Sequence, residues 1–332
     1  MVVKPEELGF VEKQVTAPSG GVINYGEGPA EGIPLMLIPG QWLDWRDYRR
    51  TFEKLITTYH VYAVDCYGHG NSSKNPDLYP AVVNGADLCW FVDEVIGQPT
   101  VVAGHSSGGM IAAYVAAMSD PDLIEGVIFE DPPLLSLTPA LRGKTVGWAR
   151  NLGVMAAFLE QDEETSYIHY WLDHTYLRSY WGDDPHTWET TVKAPALRAL
   201  ERHPDRPPRL SGLNAVLNKA LQVTACSNDG TGTYDLRYAA SLVDYSWNEG
   251  YDDLELLSRI SCPALLFHDH VTYDANGIMQ GAMPDDATAT VKQILPDLVV
   301  LDDLTYGHDI HDNAPDFYAD QVLAFSERLN PA

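Results

Sequence analysis

The chain has 332 residues, 45% hydrophobic and 20% charged, with 47 Asp and Glu against 21 Lys and Arg, for a formal charge of −26. That length suits one large α/β domain carrying an insertion, or two domains, and the composition is that of a globular chain with a sizeable core, not a disordered one. The acidic field repels phosphate backbones and anionic lipid surfaces, so nucleic-acid binding and a membrane partner are disfavoured.

In chain order, short apolar runs at Leu35–Ile38, Val61–Val64, Thr100–Ala103 and Gly126–Phe129 read as fully buried strands of a parallel sheet. Helical periodicity fills the gaps at Trp45–Ile56, Val82–Ile96 and Met110–Met118. Strand and helix alternating at short spacing predict a doubly wound, mostly parallel α/β sheet with right-handed crossovers. From about Leu134 to Arg259 no buried strand run appears. This segment holds Trp148, Trp171, Trp181, Trp188 and Trp247 and the Pro-rich patch His203–Pro208, and it reads as a helical insertion. The expected division is core over 1–132, insertion over 133–259 and core again over 260–332. Strands resume at Cys262–Phe267 and Leu298–Leu301, and a final helix is expected over Ala314–Leu329.

The four cysteines, Cys66, Cys89, Cys226 and Cys262, show no C-x-x-C spacing, so neither a zinc site nor a redox motif is indicated. Three of them lie in apolar runs and read as small buried hydrophobes. Residues 1–30 lack the pattern of a secretory signal, and no run reaches the roughly 18 apolar residues that span a membrane. A cytoplasmic location is the expectation.

The strongest chemical motif is Gly104-His105-Ser106-Ser107-Gly108 between a buried strand and a helix. A sharp strand-to-helix turn needs small flanking residues, lifts the Ser106 hydroxyl above the sheet, and aims the first helical N–H groups at it. A serine hydroxyl needs an imidazole to take its proton. Gly307-His308, after the last strand, supplies one, and His308 is the expected base. His311, one helical turn on, is expected to pack or to make a loop hydrogen bond. Pro39-Gly40-Gln41-Trp42 follows an early strand, and the backbone N–H groups of Gln41 and Ser107 are the expected oxyanion donors. Gly40, Trp42 and His105 are expected to line the substrate pocket. Asp65-Cys66-Tyr67-Gly68-His69-Gly70-Asn71-Ser72 reads as a structural turn whose Asp caps neighbouring amides.

Taken in chain order, from Pro39-Gly40-Gln41-Trp42 through Asp65–Ser72 and Gly104–Gly108 to Gly307-His308, these four motifs resemble the α/β-hydrolase superfamily of serine hydrolases over about 1–132 and 260–330. The resemblance implies an inserted cap after the sixth strand, where the Trp- and Tyr-rich segment lies. It also implies a triad acid, whose place differs among members. Most carry it after the seventh strand, where Asp269 and Asp274 are candidates, although the usual Gly-x-x-Asp is missing there. A minority similar to the zearalenone lactonases carry it after the sixth strand, where Glu130-Asp131 stands. Glu130 is the favoured acid, with Asp131, Asp269 and Asp274 as alternatives.

The expected chemistry is two-step acyl transfer on a small hydrophobic ester, lactone or related carbonyl substrate, with no metal or organic cofactor. A carbon–carbon bond hydrolase and a ligand receptor with slow or no turnover are the other readings, and a homodimer is left open. Ser rather than Asp at the elbow disfavours epoxide and haloalkane chemistry.

Overall fold

Side chains along the central strands alternate between two buried faces. Leu35, Leu37, Val61, Ala63, Val101, Ala103, Ile128 and Phe267 enter one core, and Met36, Ile38, Tyr62, Val64, Val102, Val127, Phe129 and Leu266 enter the other. A strand buried on both faces must be covered on both, as in a parallel sheet wrapped by helices. The structure is a computed structural model that describes residues 3–138, 141–181, 184–204, 208–212, 221, 226–227 and 232–329.

Eight strands make the main sheet: β1 (Val11–Thr16), β2 (Val22–Glu27), β3 (Ile33–Ile38), β4 (Tyr59–Val64), β5 (Thr100–His105), β6 (Ile124–Glu130), β7 (Ala264–Asp269) and β8 (Leu298–Leu304). Their order is β1-β2-β4-β3-β5-β6-β7-β8. Pairing is parallel from β4 to β8 and antiparallel for β1–β2 and β2–β4. The sheet is therefore the doubly wound, mostly parallel one expected. Its two leading strands are additional to the expected runs. β1 carries Glu12, Lys13 and Gln14 and is largely exposed, so it has no apolar run to reveal it, and its charges suit a sheet edge.

Helix α1 (Ala81–Trp90) and α2 (Ser107–Met118) pack on one face. On the other lies α3 (Pro315–Leu329), with Tyr318, Val322 and Phe325 buried beside Tyr48 and Phe52. The expected helix at 45–56 is a 3-10 turn over Trp45–Arg50 followed by a short α-helix at Phe52–Leu55.

Between β6 and β7 the described residues are mainly helical, including Gly153–Leu159, Tyr167–His174, Ala194–Arg202, Leu236–Val243 and Asp253–Arg259. Residues 205–207 of the Pro-rich patch lie outside the described residues. The insertion also holds a two-residue strand, Tyr234–Asp235, which escaped the search for apolar runs because it is so short. It seats this segment on the turn after β4. The Asp235 N–H donates to the Gly68 carbonyl at 2.9 Å, and the Tyr79 hydroxyl donates to the Asp235 carboxylate at 2.6 Å. The turn is held as expected: the Asp65 carboxylate accepts from the N–H groups of Trp45 at 2.7 Å and Asn71 at 2.8 Å. Cys66 is buried, Cys89 and Cys262 are half-buried, and all three are free thiols; the side chain of Cys226 lies outside the described residues.

Candidate active site

Ser106 sits between β5 and α2 with φ 53 and ψ −125, a conformation that L-residues tolerate only when the surroundings impose it. Two glycines make the turn. A Cβ on Gly104 would lie 2.2 Å from the Gly108 carbonyl oxygen, and one on Gly108 would lie 2.4 Å from the Ile38 carbonyl oxygen. Neither contact can be relieved by a side-chain rotation, because both partners are backbone. The elbow is held from behind by β6, where the Ser106 N–H donates to the Glu130 carbonyl at 2.9 Å.

The loop after β3 presses on the same point. A Cβ on Gly40 would come within 2.7 Å of His105 Nδ1 and 3.1 Å of Ser106 Cβ. Gln41 and Trp42 follow at once. Trp42 is half-buried with φ 56. Gln41 is buried, and its side-chain amide donates to the Tyr234 hydroxyl of the insertion at 2.5 Å. Ser107 is the first residue of α2, so its N–H is one of the unpaired donors of a helix start.

His308 follows β8, just after Gly307 with φ 81. Its segment is tied to the elbow through His105, whose Nε2 donates to the His308 carbonyl at 3.0 Å; the two rings lie 4.7 Å apart. Burial pushes His105 down to about 4, so its ring is neutral near pH 7. The Ser106 hydroxyl makes no hydrogen bond among the described residues; unliganded sites often leave such contacts open.

The carboxylate on His308 is that of Asp131, not the favoured Glu130. His308 Nδ1 donates to Asp131 Oδ2 at 2.6 Å. Burial disfavours the imidazolium, but the Asp131 hydrogen bond and charge outweigh it, and the His308 pKa is raised. Strand parity accounts for the difference. Glu130 shares the face of Ile128, toward Tyr48 and Tyr318, and is fully buried. Asp131 is the first residue past the strand, with φ 37, and this left-handed step turns its carboxylate toward the loop after β8.

Glu130 meets His311 instead. Its carboxylate accepts from the His311 N–H at 2.8 Å and from His311 Nδ1 at 2.9 Å. On the other side His311 Nε2 donates to Asp47 Oδ2 at 2.6 Å. Burial opposes charge on this ring, yet Glu130 and Asp47 together raise its pKa well above the ordinary histidine value. His311 thus makes the expected loop hydrogen bonds, but to two buried carboxylates, and Asp47 escaped sequence reasoning because no motif marks it. Asp269 and Asp274 serve loops: Asp269 accepts from the Tyr306 N–H at 2.8 Å and Asp274 from the Tyr176 hydroxyl at 2.7 Å.

Asp47, His105 and His311 bring three ligand-type atoms within 4.8 Å of one another. A metal there would have to displace the proton that His311 shares with Asp47.

A profile of the alpha/beta hydrolase family matches residues 35–321. Among curated relatives, a serine hydrolase-like protein of Danio rerio is 29% identical over 126 residues, 36% of this chain and 37% of its own length. A pimeloyl-[acyl-carrier protein] methyl ester esterase of Aliivibrio fischeri is 30% identical over 122 residues, 36% of this chain and 44% of its own. Epoxide hydrolase 4 of Mus musculus is 32% identical over 116 residues, 33% of this chain and 31% of its own. The chain thus spans less than half the length of these relatives. Among solved structures, a hydrolase from Pseudomonas aeruginosa superposes with TM-score 0.63 at 17% identity, over 95% of this chain and 97% of that one. The epoxide hydrolase VrEH1 from Vigna radiata gives 0.60 at 16%, over 98% and 100%. At such identities the likeness shows the fold.

Proposed function

Because this chain belongs to the alpha/beta hydrolase family, we propose that it is a serine hydrolase acting on an ester, lactone or related small carbonyl substrate, with Ser106 as nucleophile, His308 as base and Asp131 as the acid that orients it. One observation carries the reading: a strained Ser106, pressed by the Gly40 loop and joined through His105 to the segment that carries His308, whose ring is held by Asp131 from the end of β6. With Nδ1 donating to Asp131, Nε2 of neutral His308 is left to take the Ser106 proton as Oγ attacks the carbonyl carbon. The N–H groups of Gln41 and Ser107 then hold the tetrahedral oxyanion. His308 passes the proton to the leaving group, an acyl–Ser106 ester remains, and water activated by His308 releases the acid.

Ser at the elbow, where epoxide and haloalkane chemistry requires Asp, favours acyl transfer over the epoxide opening that some relatives' names suggest. The aromatic insertion over 133–259, with Tyr234 reaching Gln41, would serve as the cap over a largely apolar substrate. Among the described residues no helix is long and apolar enough to cross a membrane.

A fluorophosphonate probe should label Ser106 in the native chain, and a panel of p-nitrophenyl esters and lactones should be hydrolysed. Labelling at another residue, or turnover retained in Ser106→Ala, would overturn the assignment.

A further inference from the structure

We propose that Asp47, His311 and Glu130 form a second, buried carboxylate–imidazole–carboxylate chain that positions the catalytic groups: it pins the base loop, the elbow and the oxyanion loop to one point and places carboxylates where His308 feels them. The inference rests on the serine-hydrolase reading of Ser106 and His308.

Each member belongs to a different part of the site. Asp47 lies in the turn just after Gln41 and Trp42, and His311 lies three residues beyond His308. Glu130 is the residue whose carbonyl receives the Ser106 N–H and whose successor is Asp131. The links are short: 2.6 Å from His311 to Asp47, 2.9 Å from His311 to Glu130, and 2.8 Å from the His311 backbone N–H to the same Glu130 oxygen. His311 and Glu130 are fully buried and Asp47 nearly so. Buried ions are poor stabilisers next to apolar packing of the same volume. What they supply is direction, because each hydrogen bond fixes where its partner loop may stand.

The groups facing His311 are Asp47, Glu130, His105 with its ring 5.0 Å away, Tyr48 at 4.4 Å and Tyr318 at 6.0 Å. His105 is neutral near pH 7 and burial lifts both phenols well above their ordinary values, so none of these three rings offsets the pull of Asp47 and Glu130 on His311. The charges facing His308 are Asp131, Asp309 and Glu130, and each favours its protonated form; neutral His105 adds none.

The test compares Glu130→Gln and Asp47→Asn with the native chain in three measurements: thermal melting, the pH dependence of fluorophosphonate labelling at Ser106, and ¹⁵N-histidine NMR. In folded variants the labelling rate at pH 7 should fall about tenfold, since misplacing a base by a fraction of an ångström is costly. The acid limb should move down by roughly half a pH unit or more, further in Glu130→Gln than in Asp47→Asn. A merely structural clamp would lower the melting temperature and leave the limb in place. An unmoved limb, with labelling within about twofold of native in a folded variant, would overturn the proposal. Should neither variant fold, NMR of the native chain decides. Both His311 nitrogens protonated at pH 7.5 supports the chain, and a neutral ring overturns it. Failure of the native protein to label would count against the serine-hydrolase reading alone, because NMR reads the His311 chain independently.

Discussion

His308 and His311 stand three residues apart in one loop and live in different media. The His308 side chain is 34% exposed and has one carboxylate partner. That of His311 is wholly buried between two. A ring reached by water and held at one nitrogen can release and take back a proton as substrate comes and goes. A ring sealed between two carboxylates has its pKa raised well above the ordinary histidine value and, on the proposal above, keeps its proton. On the proposed reading, identical side chains on a short stretch of backbone receive opposite tasks, and burial together with partner count decides which.

The contrast breaks most sharply when one ring is removed. On the proposed mechanism His308→Ala should lower ester turnover by about 10⁴- to 10⁶-fold, while thermal melting moves only a few degrees. If melting collapses and activity persists, the two histidines have been assigned the wrong way round. Replacing the carboxylates comes next. Asp131→Asn should cost about 10³- to 10⁴-fold in kcat by removing the group that fixes the His308 tautomer. The base must be neutral to act and its pKa is raised in the folded chain, so native activity should climb through a limb above pH 6.5. In Asp131→Asn that limb should fall, and a kcat/KM profile reads both effects.

Stability against pH sharpens the comparison further. The His311 pKa is raised on folding. Its contribution is therefore complete below the unfolded histidine value and is lost as pH rises through the folded one. Melting temperature should decline on the alkaline side, and His311→Gln, less stable throughout, should decline less. His105 runs the other way. Its pKa is depressed to about 4, so its contribution is present above pH 6.5 and lost as pH falls from there toward 4. The smallest effect concerns the insertion. Tyr234→Phe should leave the Gln41 amide without its partner and lower stability by about 1–2 kcal/mol, measurable by urea unfolding, with kcat changed less than in Asp131→Asn.

Much of this was legible along the chain. The six apolar runs are six strands of the sheet; the five inner ones are covered on both faces and so are apolar at nearly every position. The elbow's glycines were legible because backbone meets backbone there, a local steric demand that only glycine meets. β1 was not, since an exposed edge strand carries no such demand. Glu130 and Asp131 are neighbours in sequence, and both carry a carboxylate. Which of them meets His308 depends on strand parity and on one positive φ at the end of β6. The contact of Asp47 with His311 joins residues 264 positions apart, and no local pattern prescribes it. The sequence by itself determined the six apolar strands, the elbow, and the loops from which chemistry could come. Only the tertiary structure decided which carboxylate faces which imidazole, because side-chain direction at a strand's end is set by register and backbone twist rather than by residue type.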